Sequence, residues 1–233
     1  MIVLSVGGSL ISPKDESGKT IGTLDHSFIK QFRSLILSQV KKGERFIIVT
    51  GGGGPCRAYA GLAHVLAKPS DTDLHWIGIR ATQLNAELFR VLFEPVSHPI
   101  LAGDPAIKQH VIKPILIAAG FEPGWSSDYD AIELANTYGA ARVINLTNVD
   151  YIYSDDPRKD PNAKSFPDLS WKEYKKVLGM KTFKPAAHVP FDPVAARLGE
   201  RYGLSVTILN GADLRNLKQC LESKSFKGTV LHP

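Results

Sequence analysis

The chain has 233 residues, of which 43% are hydrophobic and 22% are charged, so it has a globular composition and enough length for a substantial core. Its formal net charge is only +5 and its basic residues are scattered, which predicts a solvated surface and no nucleic-acid partner. The two cysteines, Cys56 and Cys220, lie far apart and show no metal-ligand spacing. We therefore expect a protein of the reducing cytoplasm without a metal site built from its own side chains.

The apolar N-terminus does not have the pattern of a targeting segment. Residues 1–11 lack a basic lead-in and contain two glycines, which favours a buried strand followed by a turn. No apolar run approaches the roughly 18–20 residues that cross a bilayer, so we predict no membrane association.

Short apolar runs alternate with amphipathic segments along the chain. A polar loop is predicted at 12–22. Strands are predicted at 2–6, 45–50, within 113–120, at 141–149 and at 204–210. Helices are predicted from Asp25, as the N-cap, to about residue 42, and at 56–67, 81–93, 127–140, 192–203 and 213–221. This alternation is typical of the α/β class, and we predict a three-layer α/β/α sandwich with a mainly parallel central sheet.

No linker or repeat divides the chain, so we predict a single domain over residues 1–233. It would have two lobes, at about 1–110 and 111–233, with the proline-rich segment 93–105 as a soft boundary.

Glycine clusters follow two of the predicted strands, at Gly7-Gly8 and at Gly51 to Gly54. A glycine turn that leads into a helix presents bare N–H groups beside the positive end of the helix dipole, which is a phosphate site. Arg57 would add charged donors at the start of one such helix. The alternative is a tight strand–helix turn that needs glycine for packing alone. Two such turns at strand ends favour the phosphate interpretation, because ligands bind beyond the carboxyl ends of strands in open α/β sheets.

A loop of acids, prolines and bases occupies residues 146–166. Tyr151 and Tyr153 are candidates to stack on a base, Asp155 or Asp156 to bind sugar hydroxyls, and Lys164 to reach phosphates. The alternative is a solvated loop with turn prolines.

These motifs together resemble the amino acid kinase family, and within it the uridylate (UMP) kinases of the archaeal type. The resemblance covers nearly the whole chain, from "VLSVGGSL" to "GTVLHP", with the motifs in family order. The segment "TNVDYIYSDDPRKDPNAK" carries it most specifically, and "GIRATQLNAELF", "PGWSSD" and "FDPVAA" point to the uridylate kinases.

The resemblance implies a transfer of the γ-phosphoryl group of ATP to UMP with Mg²⁺, and a homo-oligomer, a hexamer in relatives. It implies that ATP is bound by Gly7, Gly8, Ser9, Asn148, Tyr153, Asp156 and Lys164. It implies that UMP is bound by Gly51, Gly52, Gly53, Arg57, Gly78, Thr82, Asn85, Ser126 and Ser127. The catalytic residues it implies are Asp128, Lys164 and Gly8.

Asp128 would organise cations around the transferring phosphoryl group, because phosphoryl transfer requires positioning and charge neutralisation more than proton transfer. An alternative for Asp128 is a helix cap, and both roles are compatible.

The chain departs from the family pattern at Ser5, where relatives usually carry a lysine. Another cation, with Lys164, Arg80 and Lys14 as candidates, would then have to replace its charge, or activity would be weak. Two alternative functions follow. One is a kinase of the same fold with another small-molecule acceptor, and the other is a non-catalytic nucleotide- or oxyanion-binding or storage protein.

Overall fold

The computed structural model of the protein describes residues 1–14, 23–157, 159–177, 179 and 190–233. Most of the loop predicted at 12–22 lies outside the described residues. The strands are β1 Ile2–Val6, β2 Phe46–Thr50, β3 Ile115–Ala118, β4 Arg142–Thr147, β5 Ile152–Tyr153, β6 Ser165–Phe166, β7 Asp168–Ser170, β8 Val206–Asn210 and β9 Thr229–His232. The helices are α1 Gly8–Ile11, α2 His26–Val40, α3 Gly53–Leu66, α4 Asp71–Leu92, α5 Ser127–Tyr138, α6 Trp171–Val177, α7 Pro193–Arg201 and α8 Leu214–Leu221.

Seven of the strands form one sheet in the order β3-β2-β1-β4-β8-β9-β7, and β5 and β6 form a separate antiparallel hairpin. The pairs from β3 through to β8 are parallel, whereas β9 runs antiparallel to β8 and β7 runs parallel to β9. Because β1 lies between β2 and β4, strands from both halves of the chain are adjacent within one sheet. The division into two lobes stays a prediction.

Helices cover both faces of the sheet, as predicted. Successive residues of β1 point to opposite faces, so Leu4 packs with α2, α4 and α8, while Val3 packs with α5, α6 and α7. The strands β1, β2 and β3 are buried along their whole length, which explains their continuous apolar sequence. The α/β class and the mainly parallel central sheet are therefore confirmed.

The local signals that end the helices also appear in the structure. Asp25 caps α2 by accepting a hydrogen bond from the amide of Phe28 at 2.8 Å, as predicted. Gly139 ends α5 with a left-handed φ of 61°, which glycine adopts without strain.

Two helices begin earlier than predicted. Helix α3 begins at Gly53, within the glycine turn itself, where Gly53 has a φ of 60° that glycine adopts without strain. Helix α4 begins at Asp71, where Ser70 and Asp73 form a capping box. The prediction missed this start because the apolar residues in the first two turns of α4 show only a weak helical periodicity. Short elements without strong periodicity, namely α1, β5, β6, β7, α6 and β9, were not predicted.

Within the described residues, none of the helices combines the length and the apolar character that crossing a bilayer requires.

Candidate active site

The two glycine turns lie against each other at the carboxyl ends of β1 and β2. A Cβ atom on Gly8 would collide with the amide nitrogen of Gly53 and lie 2.7 Å from its Cα. A Cβ atom on Gly51 would collide with the nitrogen of Gly8 and lie 3.0 Å from its Cα. The close approach of two backbones is therefore one reason for glycine at these positions, so the packing interpretation holds. It does not exclude a phosphate site, which depends on where the amides point.

Helices α1 and α3 both begin at this contact. The amide of Gly51 donates a hydrogen bond to the carbonyl oxygen of Val6 at the edge of the sheet. The turn amides that donate to no acceptor among the described residues are those of Gly8, Ser9, Gly52 and Gly53. Such amides at the start of a helix attract anions, so the geometry keeps the phosphate interpretation open.

Arg57 links the two turns from the side of α3. Its Nη2 donates to the carbonyl oxygen of Ser12 at 2.9 Å, just after α1. The guanidinium group therefore lies at the end of α1, and its contact with a UMP phosphate stays a prediction.

Helix α4 supports the second turn through side chains that were predicted to border the nucleoside. Asn85 donates through Nδ2 to the carbonyl of Gly51 at 2.7 Å. Thr82 accepts from the amide of Gly120 at 2.9 Å. Both side chains are buried, so they position backbone at the ends of β2 and β3. A Cβ atom on Gly78 would lie 3.5 Å from Sγ of Cys56, an ordinary van der Waals contact, so the packing of α4 on α3 does not itself require glycine there. Their contact with UMP stays a prediction.

The start of α5 brings Asp128 to the end of β1. Ser5, on β1, donates through Oγ to Oδ1 of Asp128 at 3.2 Å, and the amide of Asp192 donates to Oδ2 at 3.1 Å. Asp128 therefore lies beside the position where relatives usually carry a lysine, and a buried serine occupies that position here. Ser126 is the N-cap of α5, and its Oγ accepts from the amide of Tyr129. Ser127 is the first residue of the helix.

Asp128 has a carboxyl group in an environment that disfavours its charge. Burial, together with the charge of the nearby Asp192 carboxylate, raises its pKa to about 7, against the opposing effects of the Asp192 amide and the Ser5 hydroxyl. Asp128 therefore titrates close to neutral pH.

Asp130 is the most unusual polar group near the site. It is 1% exposed, and neither of its carboxyl oxygens has a hydrogen-bond partner among the described residues. Burial and the charge of Asp128 raise its pKa to about 8, and the nearby Phe121 amide opposes the shift without forming a hydrogen bond to the carboxyl group. The raised pKa favours the protonated form of Asp130 in the folded protein.

The predicted ATP loop follows β4 and includes the hairpin β5–β6. Asn148 is exposed directly after β4, and Tyr153 is half-buried. Tyr151 and Tyr153 meet edge to face, with ring centroids 6.1 Å apart, so they contact each other. Asp156 lies in the turn beyond β5. Lys164 is exposed next to β6, and no contact among the described residues joins its amine to the glycine turns.

Other residues at this edge were not assigned by sequence. Asp192 caps α7 and touches Asp128, and the sequence signal for it was an aspartate directly before proline at the start of an apolar segment. Asp150 accepts from Asn210 at 2.9 Å and pairs with Lys227 at 3.0 Å, which fixes the loop against β8. The ring of Trp125 stacks on Tyr129 at 4.5 Å, and so packs within the protein. His188 lies outside the described residues.

A family model described as "Amino acid kinase family" matches residues 1–210, and the chain belongs to that family. Among its relatives, the "Uridylate kinase" of Pyrococcus abyssi is 31% identical over 100% of this chain and 99% of the relative. The "Uridylate kinase" of Methanospirillum hungatei is 33% identical over 99% and 94%.

The solved structure of the uridylate kinase from Archaeoglobus fulgidus matches with a TM-score of 0.80 and 29% identity over 99% of both chains. The UMP kinase of Bacillus anthracis matches with a TM-score of 0.77 at 16% identity, which shows a shared fold. The resemblance identified from sequence is therefore confirmed.

We expect Gly51→Ala to destabilise the protein severely, because its new methyl group would overlap the backbone of Gly8, which has no flexible atom to move aside. Chemical denaturation followed by circular dichroism would measure the free energy of unfolding. The matched control is Gly61→Ala in α3, where a Cβ atom meets nothing within 4 Å and alanine favours the helix by about 0.5–1 kcal/mol. Equal stability of the two variants would contradict the close approach of the turns.

We expect the stability of Asp130→Asn relative to the wild type to increase with pH. The folded-state pKa of Asp130 lies above its unfolded value, so the wild type loses stability as pH rises from about 4 to about 8, by at most ~1.4 kcal/mol per pH unit. Asparagine has nearly the same shape and does not ionise. Urea denaturation of both proteins between pH 5 and 9 would test this, and a difference that does not change with pH would show that Asp130 is ionised in the folded state.

Proposed function

We propose that this protein is a cytoplasmic uridylate kinase that transfers the γ-phosphoryl group of ATP to UMP, with residues 1–110 holding mainly UMP and residues 111–233 mainly ATP. The observation that carries the proposal is the contact of two glycine turns beside Asp128 at one sheet edge, with amides at both helix starts that donate to no acceptor within the described part of the chain. Relatives named as uridylate kinases, which match this chain over nearly its full length, support the choice of acceptor.

The reaction needs little covalent chemistry from the protein. An oxygen of the UMP phosphate attacks the γ-phosphorus, the bond to the β–γ bridging oxygen breaks, and ADP leaves with that electron pair. The UMP oxygen is already ionised near neutral pH, so no general base is required. The amides of Gly8 and Gly53 and the guanidinium of Arg57 would hold the two anions close together and offset their repulsion.

Mg²⁺ would accompany ATP and be held mainly by phosphate oxygens and water. This fits the described residues, among which no group of three or more His, Cys, Asp and Glu side chains could hold a metal ion. When bound, Mg²⁺ neutralises charge on the phosphates of ATP.

The structure bears on which cation replaces the family lysine. Arg80 is exposed on α4, where it donates to Gln83 and lies 5.6 Å from the centroid of the Trp76 ring, so it lies on the helix surface. Lys14 and Lys164 are also exposed, and both would have to swing toward bound nucleotide. The hydroxyl of Ser5 instead donates to Asp128 and helps to hold it.

That exchange at Ser5 is the feature that favours the second candidate, a non-catalytic nucleotide- or oxyanion-binding or storage protein. It differs from a kinase in one respect that can be measured. Such a protein would bind ATP and UMP without forming UDP.

We expect the purified protein to form UDP from ATP and UMP in the presence of Mg²⁺, and to turn over CMP and acetylglutamate more slowly. Asp128→Asn should lower kcat by on the order of 100-fold, because the variant loses an anion that orders cations near the phosphates. A coupled ADP-release assay, with UDP identified by chromatography, would measure both.

The control for this assay is Asp168→Asn, which removes an exposed carboxylate at the far edge of the sheet. Tight binding of both nucleotides by calorimetry without UDP would overturn the kinase proposal in favour of the storage protein. Turnover gained by Ser5→Lys would then show that the missing charge is the cause.

We also propose that the protein is a homo-oligomer that associates through α3 and α4. The only residues of α3 that are buried are Gly53 and Gly54, whereas α4 buries Ile79 and Phe89 on its inner face. Seven large apolar side chains on the outer faces of these two helices are exposed. Those side chains are Tyr59 at 70%, Leu62, Val65 at 81%, Leu66, Trp76, Leu84 and Val91. An apolar surface of this extent is typical of a protein interface. A second copy of the chain would cover it without bringing like charges together, because residues 58–67 contain no lysine, arginine or acid.

We expect the wild type to sediment as an oligomer and Val65→Glu to shift it toward monomer, because a C2-type interface would bring two new carboxylates together. Analytical ultracentrifugation would measure the mass. Ile112→Glu, which alters an exposed apolar residue outside α3 and α4, is the control. A monomeric wild type at micromolar concentration would contradict this proposal.

A further inference from the structure

Asp192 connects the starts of α5 and α7 through four hydrogen bonds. Its Oδ1 accepts from the amide of Val194 at 2.8 Å, which caps α7. Its Oδ2 accepts from the hydroxyl of Ser126, the cap residue of α5. Its own amide donates to Oδ2 of Asp128 at 3.1 Å, and its carbonyl accepts from Ala196 within the first turn of α7. The two helix starts are thereby joined by one residue.

These bonds fix the carboxyl group of Asp128 from both sides. Ser5 occupies Oδ1 and the Asp192 amide occupies Oδ2, so rotation of the carboxyl group would break at least one hydrogen bond. Ser5 belongs to the central strand β1 and Asp192 is 6% exposed, so both partners are held by the core. The direction of the Asp128 side chain is therefore set by its neighbours.

We propose that Asp192 is a positioning residue for Asp128: it fixes the direction of that carboxyl group and places a second negative charge behind it. The kinetic consequence rests on the proposed function, whereas the structural one does not. Asp192 contacts Asp128 and Ser126, and we assign it no direct contact with substrate.

The elements packed around Asp128 contribute few charged or titratable groups. Asp130 lies on α5 itself, Tyr174 faces it from α6, and Asp192 precedes α7, while β1 contributes only the neutral Ser5. Among the described residues, no lysine or arginine makes a hydrogen bond or an ion pair with Asp128. Asp128 therefore loses its proton close to the carboxylate of Asp192. The hydrogen bonds from the Ser5 hydroxyl and the Asp192 amide partly offset the repulsion between the two negative charges.

The effect of removing the Asp192 charge has a definite sign. The Asp192 carboxylate raises the pKa of Asp128, whereas the Asp192 amide lowers it. Asp192→Asn removes the carboxylate and retains the amide, so the pKa of Asp128 should fall below about 7. If ionised Asp128 is the active form, the acid limb of kcat should move to lower pH.

The test compares the wild type with Asp192→Asn, because asparagine caps a helix as well as aspartate does. Carbon-13 NMR of labelled aspartate would follow the titration of Asp128, and kcat would be measured from pH 5 to 9. We expect both the titration midpoint and the acid limb to fall by roughly one pH unit. Asp213→Asn, which alters the cap of α8, is the matched control and should shift neither.

A uniform loss of activity at all pH values, with the Asp128 titration unchanged, would overturn the proposal and leave Asp192 as a helix cap. A titration shift in a protein without UDP formation would support the positioning role and refute the kinase. If Asp192→Asn does not fold by circular dichroism, Asp192→Ser retains a capping group and the amide, and must produce the same shift.

Discussion

The contact between the turns after β1 and β2 is the constraint on which the site depends. Gly8 and Gly53 approach so closely that no side chain fits between them, and this contact fixes the starts of α1 and α3. Side chains from elsewhere then support the turns: Asn85 of α4 donates to Gly51, and Arg57 donates to the carbonyl of Ser12. An anion bound at either turn would therefore rest on backbone that is held by its neighbours, which is the preorganisation that phosphoryl transfer requires.

Electrostatics at this edge of the sheet differ from those that the usual family lysine would create. A buried hydroxyl, that of Ser5, replaces a cation beside Asp128. Two neighbouring acids, Asp130 and Asp192, add carboxyl groups to the same region, and burial raises the pKa of Asp128 and Asp130. The protein therefore disfavours negative charge in this region until cations bind. Mg²⁺ and Arg57 would supply that positive charge when nucleotide is bound.

Sequence reasoning succeeded where the signal is local. The apolar runs of β1 and β2, the Asp25 cap and the Gly139 stop each depend on a few consecutive residues, and all appear in the structure. It failed where the cause is a tertiary contact. Nothing in the sequence near Asp192 shows that it bonds to Ser126, 66 residues away. Nothing near Asp130 shows that its carboxyl group is buried with no hydrogen-bond partner in the described part of the chain. The glycine turns lie between these cases, since their positions were visible but their mutual contact was not.

The position of β9 has a consequence for synthesis on the ribosome. Residues 229–232 pair with β8 on one side and with β7 on the other, so β7, which emerges about sixty residues earlier, has no place in the sheet until they arrive. The parallel strands β1 to β4 can already assemble at that stage, and once β8 has joined β4 its other edge remains uncovered until β9 is made. Nascent chains should therefore expose that edge until residues 229–232 leave the exit tunnel.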